Sequence, residues 1–409
     1  MRILLINHYA GSERMGMEYR PFYLAREWVA AGHDSTVVAA NFSHVRSCQP
    51  RVSADLEITE EEDVRFRWLR TGSYSGSGAG RVINIAAFVG KLHLHAARIA
   101  REHQADVVIC SSTYPLDIYA GARIARATNA RFVFEVHDLW PLTPILLGRY
   151  SPRHPYIRVL QHAEDWAYAN ADVVVSILPD ACGYMVERGL DPKKFVHVPN
   201  GVCVAGRDAA NATVLPSALS EQISQERARG RFLVGYAGSS ALSMSLETLL
   251  GAARLLSDAA VTFVLVGDGP GFSLLQRQVA QMQLNNFHIL GRITKAAVPG
   301  FLARMDALAI AWRHSRLYQF GISPNKLFDY MLAGRPILQA SAASNDLVSE
   351  AGCGFTVPPE DPQALADAVL RLRGMPQAER GMLGENGRNF VLRRHNYSVL
   401  AHQFLDAIS

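Results

Sequence analysis

The sequence predicts an α/β protein of two Rossmann-like domains facing a central cleft. Short apolar runs alternate with helical patterns in both halves, and several of the runs end in glycine-bearing turns. Pro199-Asn200-Gly201-Val202 closes the first series, and a second begins at Phe232 after a polar, weakly periodic stretch. At 409 residues the chain is long enough for two full cores.

In the first half, Arg2 to Ile6 reads as a strand, Asn7 to Gly16 as a loop, Glu18 to Ala31 as a helix stopped by Gly32, and Ser35 to Ala40 as a second strand. Gly11-Ser12-Glu13-Arg14-Met15-Gly16 lacks the dinucleotide glycine fingerprint, which speaks against nicotinamide. Gly11 and Gly16 still allow close backbone approach of an acceptor or phosphate. Gln49 to Asp63, ending in four acids, reads as a solvated surface turn.

From Arg65 to Arg101 there is no acidic residue. Val82 to Glu102 is a helical pattern, apolar nearly all round, with Lys91, His95 and Arg98 on one line. Trp68 and Tyr74 are interleaved with the basic residues. Such a stretch suits an anionic leaflet, and it equally suits a core helix with a solvated basic side.

Asp106 to Cys110, Arg131 to Val136, Ala171 to Ser176 and Phe195 to Val198 are further strands. Helices are expected at Pro115 to Thr128, Leu160 to Ala169 and Pro179 to Arg188. His137 and Asp138 stand just past the strand ending at Val136, at the sheet edge where open α/β folds bind ligands. His137 can hold a hydroxyl or polarise a leaving group near pH 7. Asn200 sits in the turn that closes the series.

The second half repeats the unit. Phe232 to Ala237 ends in Gly238-Ser239-Ser240, and Val261 to Val266 in Gly267-Asp268-Gly269-Pro270. Phe287 to Leu290 ends in Gly291-Arg292. Such turns set backbone amides at a ligand edge, although each alone is common turn chemistry. Then comes Ser323-Pro324-Asn325-Lys326-Leu327-Phe328-Asp329-Tyr330-Met331. Ser323 suits an N-cap and Pro324 the first helical position, while Gly334 and Pro336 end the helix. Free amides near Asn325 and the Lys326 ammonium would make an anion pocket. Asp329 lies one turn beyond Asn325, so a nucleotide diphosphate would fit with its ribose near Asp329. The plain alternative is a capped core helix.

This stretch, with Ala333-Gly334-Arg335-Pro336, resembles the donor-site signature of the retaining, GT-B-fold glycosyltransferases of family GT4. The likeness is strongest to the WbuB-like branch that builds O-antigen and capsule repeats. Asn7-His8-Tyr9-Ala10-Gly11 resembles the opening of the same branch, and Pro199-Asn200-Gly201-Val202 resembles the Pro-Asn-Gly-Val-Asp junction of GT4 enzymes, with Cys203 where the aspartate usually stands. Asp329 falls on the second of the family's two glutamates, and Gly321 on the first. The sugar contact would then pass to Ser323, Asn325 or backbone amides. Arg292 and Lys326 would supply the cation that other members carry after the first glycine turn.

The resemblance implies an acceptor-side domain at 1–203, a linker at 204–230 and a donor domain at 231–390. A helix within 391–409 would cross back to the first domain. It implies transfer, with retention, of an N-acetylated hexose (a 6-deoxy form left open) from a UDP-sugar to a lipid-linked saccharide, in bacterial surface polysaccharide synthesis. The sugar nucleotide is then a substrate, and no metal or other cofactor is expected. A GT-B epimerase and a sugar-nucleotide-binding module remain alternatives.

A formal charge of +4 and the lack of a clustered basic and aromatic register speak against nucleic acid. Five cysteines without CxxC spacing fit a reducing compartment and argue against zinc. The N-terminus is too soon broken for a signal peptide, and no run approaches a spanning helix. The expectation is a cytoplasmic protein, peripheral on the inner membrane surface.

Overall fold

The computed structural model describes residues 1–16, 19–76, 78–204, 215–241, 243–269 and 271–409. Of the expectations above, Glu18, Ser77, Pro270 and residues 205–214 of the linker lie outside the described residues. The chain forms two compact units, Met1–Cys203 with Tyr397–Ser409, and Val204–Asn396.

In the first unit eight strands order as β3-β4-β2-β1-β5-β6-β7-β8. These are β1 (Arg2–Ile6), β2 (Asp34–Ala40), β3 (Glu57–Glu61), β4 (Val64–Leu69), β5 (Val107–Cys110), β6 (Arg131–Val136), β7 (Val173–Ser176) and β8 (Phe195–His197). All pairings are parallel except β3 with β4. The inner strands are near-continuous apolar runs because both their faces are covered. Chain order reverses beside β1, which lies between β2 and β5. That is the topological switch point where such sheets take ligands.

The acidic run read as a surface turn is β3, an edge strand. Its alternating side chains reach solvent on one face, and Glu62 and Asp63 turn it into β4 with positive φ. The basic line on helix Ala79–His103 is also altered. Lys91 is 2.8 Å from Asp55, Arg98 is 2.7 Å from Glu102, Arg67 is 2.8 Å from the same Glu102, and Arg65 pairs with Asp34. The absence of acids was a property of the segment alone, since neighbouring segments supply them.

Helix Tyr397–Ile408 packs on helix Tyr19–Ala30 within this unit. The Trp28 indole N–H donates to the Ala401 carbonyl at 3.1 Å, and the Trp28 and Phe404 rings meet edge-on at 5.2 Å. The expected boundary at residue 391 falls inside helix Gln377–Arg394, and the chain changes unit at Tyr397.

In the second unit six parallel strands order as β11-β10-β9-β12-β13-β14. They are β9 (Phe232–Ala237), β10 (Val261–Val266), β11 (Phe287–Ile289), β12 (Ala307–Ala311), β13 (Ile337–Ala340) and β14 (Gly354–Val357). The switch point lies between β9 and β12. Residues 217–228, expected as linker, are a helix, Ser217–Ala228. Its weak apolar period hid it, because it buries just two apolar side chains, Leu219 and Ile223, beside a polar one. Buried Glu226 accepts the Thr262 hydroxyl at 2.8 Å on β10.

Candidate functional site

Each sheet carries a distinct set of groups at its carboxyl edge. In the second unit that edge is mostly backbone. Gly238, Gly267, Gly269 and Gly291 all have positive φ. A Cβ on Gly267 would sit 1.8 Å from the Gly238 carbonyl oxygen, so the first two turns touch and only glycine fits. The Gly267 amide donates to the Gly291 carbonyl at 2.8 Å, and the Ser240 amide to the Asp268 carbonyl at 3.0 Å. Three turns thus lie side by side. Ser239 is exposed, and its carbonyl accepts the Tyr236 hydroxyl at 2.7 Å.

Helix Asn325–Leu332 starts against this edge. Tyr330 fixes it there, with its hydroxyl accepting from the Ala237 amide at 2.7 Å and donating to the Ala237 carbonyl at 3.1 Å. Ala237 immediately precedes Gly238, so the helix is pinned to the first glycine turn. Lys326 reaches back over that turn. Its ammonium donates to the Tyr236 hydroxyl at 2.7 Å, and a Cβ on Gly238 would meet Nζ at 2.6 Å. Burial lowers its pKa to about 8. A cation desolvated in this way gains from an incoming anion.

The N-cap position is Pro324, one residue later than the Ser323 expected. Ser323 is buried in the preceding loop, and Asn325, first in the helix, is exposed. That loop is held by Asn345, which bonds both the amide and the carbonyl of Ile322, at 2.7 and 2.9 Å. Gly321 there has φ 87°. One turn along, Asp329 pairs with Lys295 at 3.0 Å. Arg292 is exposed and faces Asp268 at 3.6 Å, a loose pair beside the third turn. The structure therefore brings Gly238, Gly267 and Lys326 together and fixes Asp329 on the same helix, with Arg292 at the periphery.

In the first unit the edge is filled with side chains. Glu135, the only acid in β6, is fully buried. Its carboxylate takes the Arg20 guanidinium at 2.9 Å, the Ser111 hydroxyl and His137 Nε2 at 3.0 Å. Ser111 Oγ is also 2.9 Å from His137 Nε2. Burial alone would raise the Glu135 pKa, but Arg20, His137 and the hydroxyl hold it well below the carboxylate range. Arg20 also donates to the carbonyls of Val198 and Pro199, so this pair fixes the turn containing buried Asn200.

Asp138 does not join that cluster. Its carboxylate accepts the Thr143 hydroxyl at 2.6 Å and the Leu139 amide at 3.0 Å, closing the turn into helix Leu142–Leu146. Burial raises its pKa. Gly11 and Gly16 make room for the chain itself. A Cβ on Gly11 would meet Arg46 Nε at 3.1 Å, and one on Gly16 the Ser47 amide at 2.9 Å.

Sequence reasoning missed Glu135, Arg20, Lys295 and Tyr330. A lone glutamate inside an apolar strand was the signal for Glu135. The others act through contacts between segments far apart in sequence. Among the described residues no group of three or more His, Cys, Asp or Glu is placed to hold a metal ion.

Residues 15–201 match the family model described as Glycosyl transferase 4-like domain, and residues 231–374 match Glycosyl transferases group 1. The chain is 24% identical over 300 residues to the probable glycosyltransferase WbjE of Pseudomonas aeruginosa, covering 71% of this chain and 73% of the relative. It is 23% identical over 213 residues to the putative colanic acid biosynthesis glycosyl transferase WcaI of Escherichia coli K12, about half of each chain (51%). Among solved structures, Anabaena HepE in complex with UDP-glucose superposes with a TM-score of 0.66 at 17% identity, covering 99% of this chain and 98% of the other. That likeness concerns the fold.

Proposed function

This chain belongs to the GT4 family of GT-B-fold glycosyltransferases, and from that premise we propose that it uses a UDP-sugar donor and retains the anomeric configuration. The sugar is an N-acetylated hexose, passed to a hydroxyl of a lipid-linked saccharide at the cytoplasmic face of the inner membrane. The product is a repeat of a surface polysaccharide. A relative named for colanic acid biosynthesis supports the setting, and a UDP-glucose complex in the fold supports the nucleotide.

One observation carries the donor assignment: the Lys326 ammonium, desolvated, lies over the Gly238 turn at the start of a helix pinned to that turn. The leaving diphosphate gathers negative charge as the glycosidic bond breaks. Preorganised amides of the glycine turns and the helix start, with Lys326, stabilise that charge most in the transition state. Asp329 takes the ribose hydroxyls, and Lys295 holds its carboxylate in position. Arg292, beside the third turn, and Ser323, in the loop before the helix, are assigned to the same donor site. In the first unit His137, oriented by Glu135 and Ser111, contacts the transferred sugar or the acceptor hydroxyl.

Mass spectrometry of the purified chain with a panel of UDP- and GDP-sugars tests this reading. The expected result is acceptor-dependent release of UDP. UDP release without acceptor, accompanied by a free epimerised sugar, would replace transfer with epimerisation.

A further inference from the structure

The amino edge of the second sheet, opposite the glycine turns, also carries a cavity. It lies where β12 and β13 begin, and its volume is about 420 Å³. There the Leu308 amide donates to the Pro336 carbonyl at 2.9 Å. Arg227, Arg335 and Arg380 line it together with Gln377 and Gly381, and Asp306 is the one carboxylate in the lining. The arginines come from three separate segments. Arg227 is on helix Ser217–Ala228, Arg335 follows helix Asn325–Leu332, and Arg380 is on helix Gln377–Arg394.

Backbone carbonyls hold each guanidinium in place. Arg227 donates to the Arg304 carbonyl at 2.9 Å, and Arg335 to the Ala303 carbonyl. Arg380 donates to the carbonyls of Leu372 and Met375 at 3.3 and 2.5 Å, and lies 5.5 Å over the Phe232 ring. Such bonds fix a side chain and leave its charge unopposed. Asp306 alone answers it, and its Oδ2 is shared between Arg227 at 2.6 Å and the Leu233 amide at 2.7 Å. Among the described residues Arg335 and Arg380 have no carboxylate partner, in contrast to Arg227. Burial lowers the Arg335 pKa. Asp306 opposes that shift, and Arg227 adds to it. Three guanidinium groups against one carboxylate leave two positive charges unmatched.

We propose that this cavity binds a phosphate dianion, free or carried on a small molecule, at a site separate from the donor edge. Guanidinium forks match phosphate oxygens bidentately, and donors already held in place lose little freedom on binding. A phosphate monoester carries a charge of about −1.5 to −2 at pH 7, which answers the unmatched pair. The volume falls among pockets that take whole small molecules, about 300–1,000 Å³, so the group bearing the phosphate fits as well. Lys326 stands in the first turn of helix Asn325–Leu332 and Arg335 just past its end, about 12 Å of helix at 1.5 Å per residue. The two sites face opposite edges of one sheet, so both can be filled at once. The inference does not depend on the donor assignment.

Calorimetry of the full chain with ribose 5-phosphate and with inorganic phosphate, at fixed ionic strength, with and without saturating UDP, tests the proposal. One equivalent should bind with an affinity that UDP leaves unchanged. Tighter binding of ribose 5-phosphate assigns a carried phosphate, and equal or tighter binding of inorganic phosphate assigns the free ion. Arg380→Gln should weaken binding about tenfold to a hundredfold, the range for a hydrogen bond to a charged group. Gly381→Glu should do the same by bringing a carboxylate to the arginines. A Cβ at Gly381 meets nothing within 4 Å, and glutamate is the better helix former, so the fold is kept. Gly381→Ala, which adds no charge, should bind as the wild type does. No heat with either probe overturns the proposal, as does displacement of the probe by UDP. Equal affinity of Gly381→Glu and wild type also overturns it. A wild type that binds the probe but no UDP would count against the donor reading and leave this site standing.

Discussion

The two sheet edges solve the same placement problem in opposite ways. The first is packed with side chains, since Arg20, Glu135, Ser111 and His137 form one buried network. The second is nearly bare, since positive-φ glycines leave backbone exposed and one lysine lies across it. The network at the first edge pairs its own charges without a ligand. The second keeps a desolvated cation and waits for a charge from outside. Stability should therefore reside in the first set of polar groups and ligand affinity in the second.

The largest effect should come from breaking the first network. Glu135→Ala strands Arg20 in the core and should cost about 3–5 kcal/mol, as removal of one partner of a buried pair does. Denaturant unfolding measures it. The Glu135 pKa is depressed in the fold, so its contribution is full above the ordinary carboxylate pKa. It is lost as pH falls below that value toward the depressed one. A loss below 1 kcal/mol, on the order of a surface pair, would remove the contrast between the edges.

Next in size is Lys326→Ala. It should weaken UDP-sugar binding by about 1.5–3 kcal/mol in calorimetry, the range for a hydrogen bond to a charged group. Without donor, Lys326→Met should raise stability at pH 7, because the folded state carries a buried ammonium. Sign and window follow from a pKa lowered to about 8: the penalty is full below pH 8 and fades as pH rises toward the unfolded lysine value. A variant no more stable at pH 7 than wild type would show that the lysine is not held at a cost.

A third test uses the same pKa. Donor affinity should be flat below pH 8 and fall above it, by about tenfold per pH unit at the limit, since the diphosphate needs the protonated amine. Lys326→Ala should abolish that slope.

The smallest effect is expected at Asp329. Asp329→Asn should raise the donor KM about three- to tenfold, in line with one weakened hydrogen bond. Lys295→Ala should do less, because its ammonium is half-exposed. Equal binding of a 2′-deoxy donor would remove Asp329 from the ribose.

Most strands of both sheets were legible because parallel strands are continuous apolar runs. Arg2–Ile6, Arg131–Val136, Phe232–Ala237 and Val261–Val266 stand where periodicity placed them. Val64–Leu69, Ala307–Ala311 and Gly354–Val357 were not read as strands, and Glu57–Glu61 and Ser217–Ala228 were missed because an edge strand and a helix with two buried apolar side chains beside a buried glutamate have little apolar signature. At the second edge, glycine positions and Lys326 were readable because they need only local turn and helix-start chemistry. Tyr330 read as an apolar position, and its hydroxyl matters only once β9 lies beside it. The acid-free stretch misled for the same reason. Asp55 and Asp34 reach its basic residues from other segments.

The helix Tyr397–Ile408 has a consequence for the order of events during synthesis. Its partners Tyr23 and Trp28 leave the ribosome more than three hundred residues before it. Translation at about 5–20 residues per second separates the two by tens of seconds. Throughout that interval the earlier unit has an uncovered apolar strip, and the later unit can close first. A nascent chain stalled before residue 397 should bind holdase chaperones through that strip, and release should follow once the last helix is made.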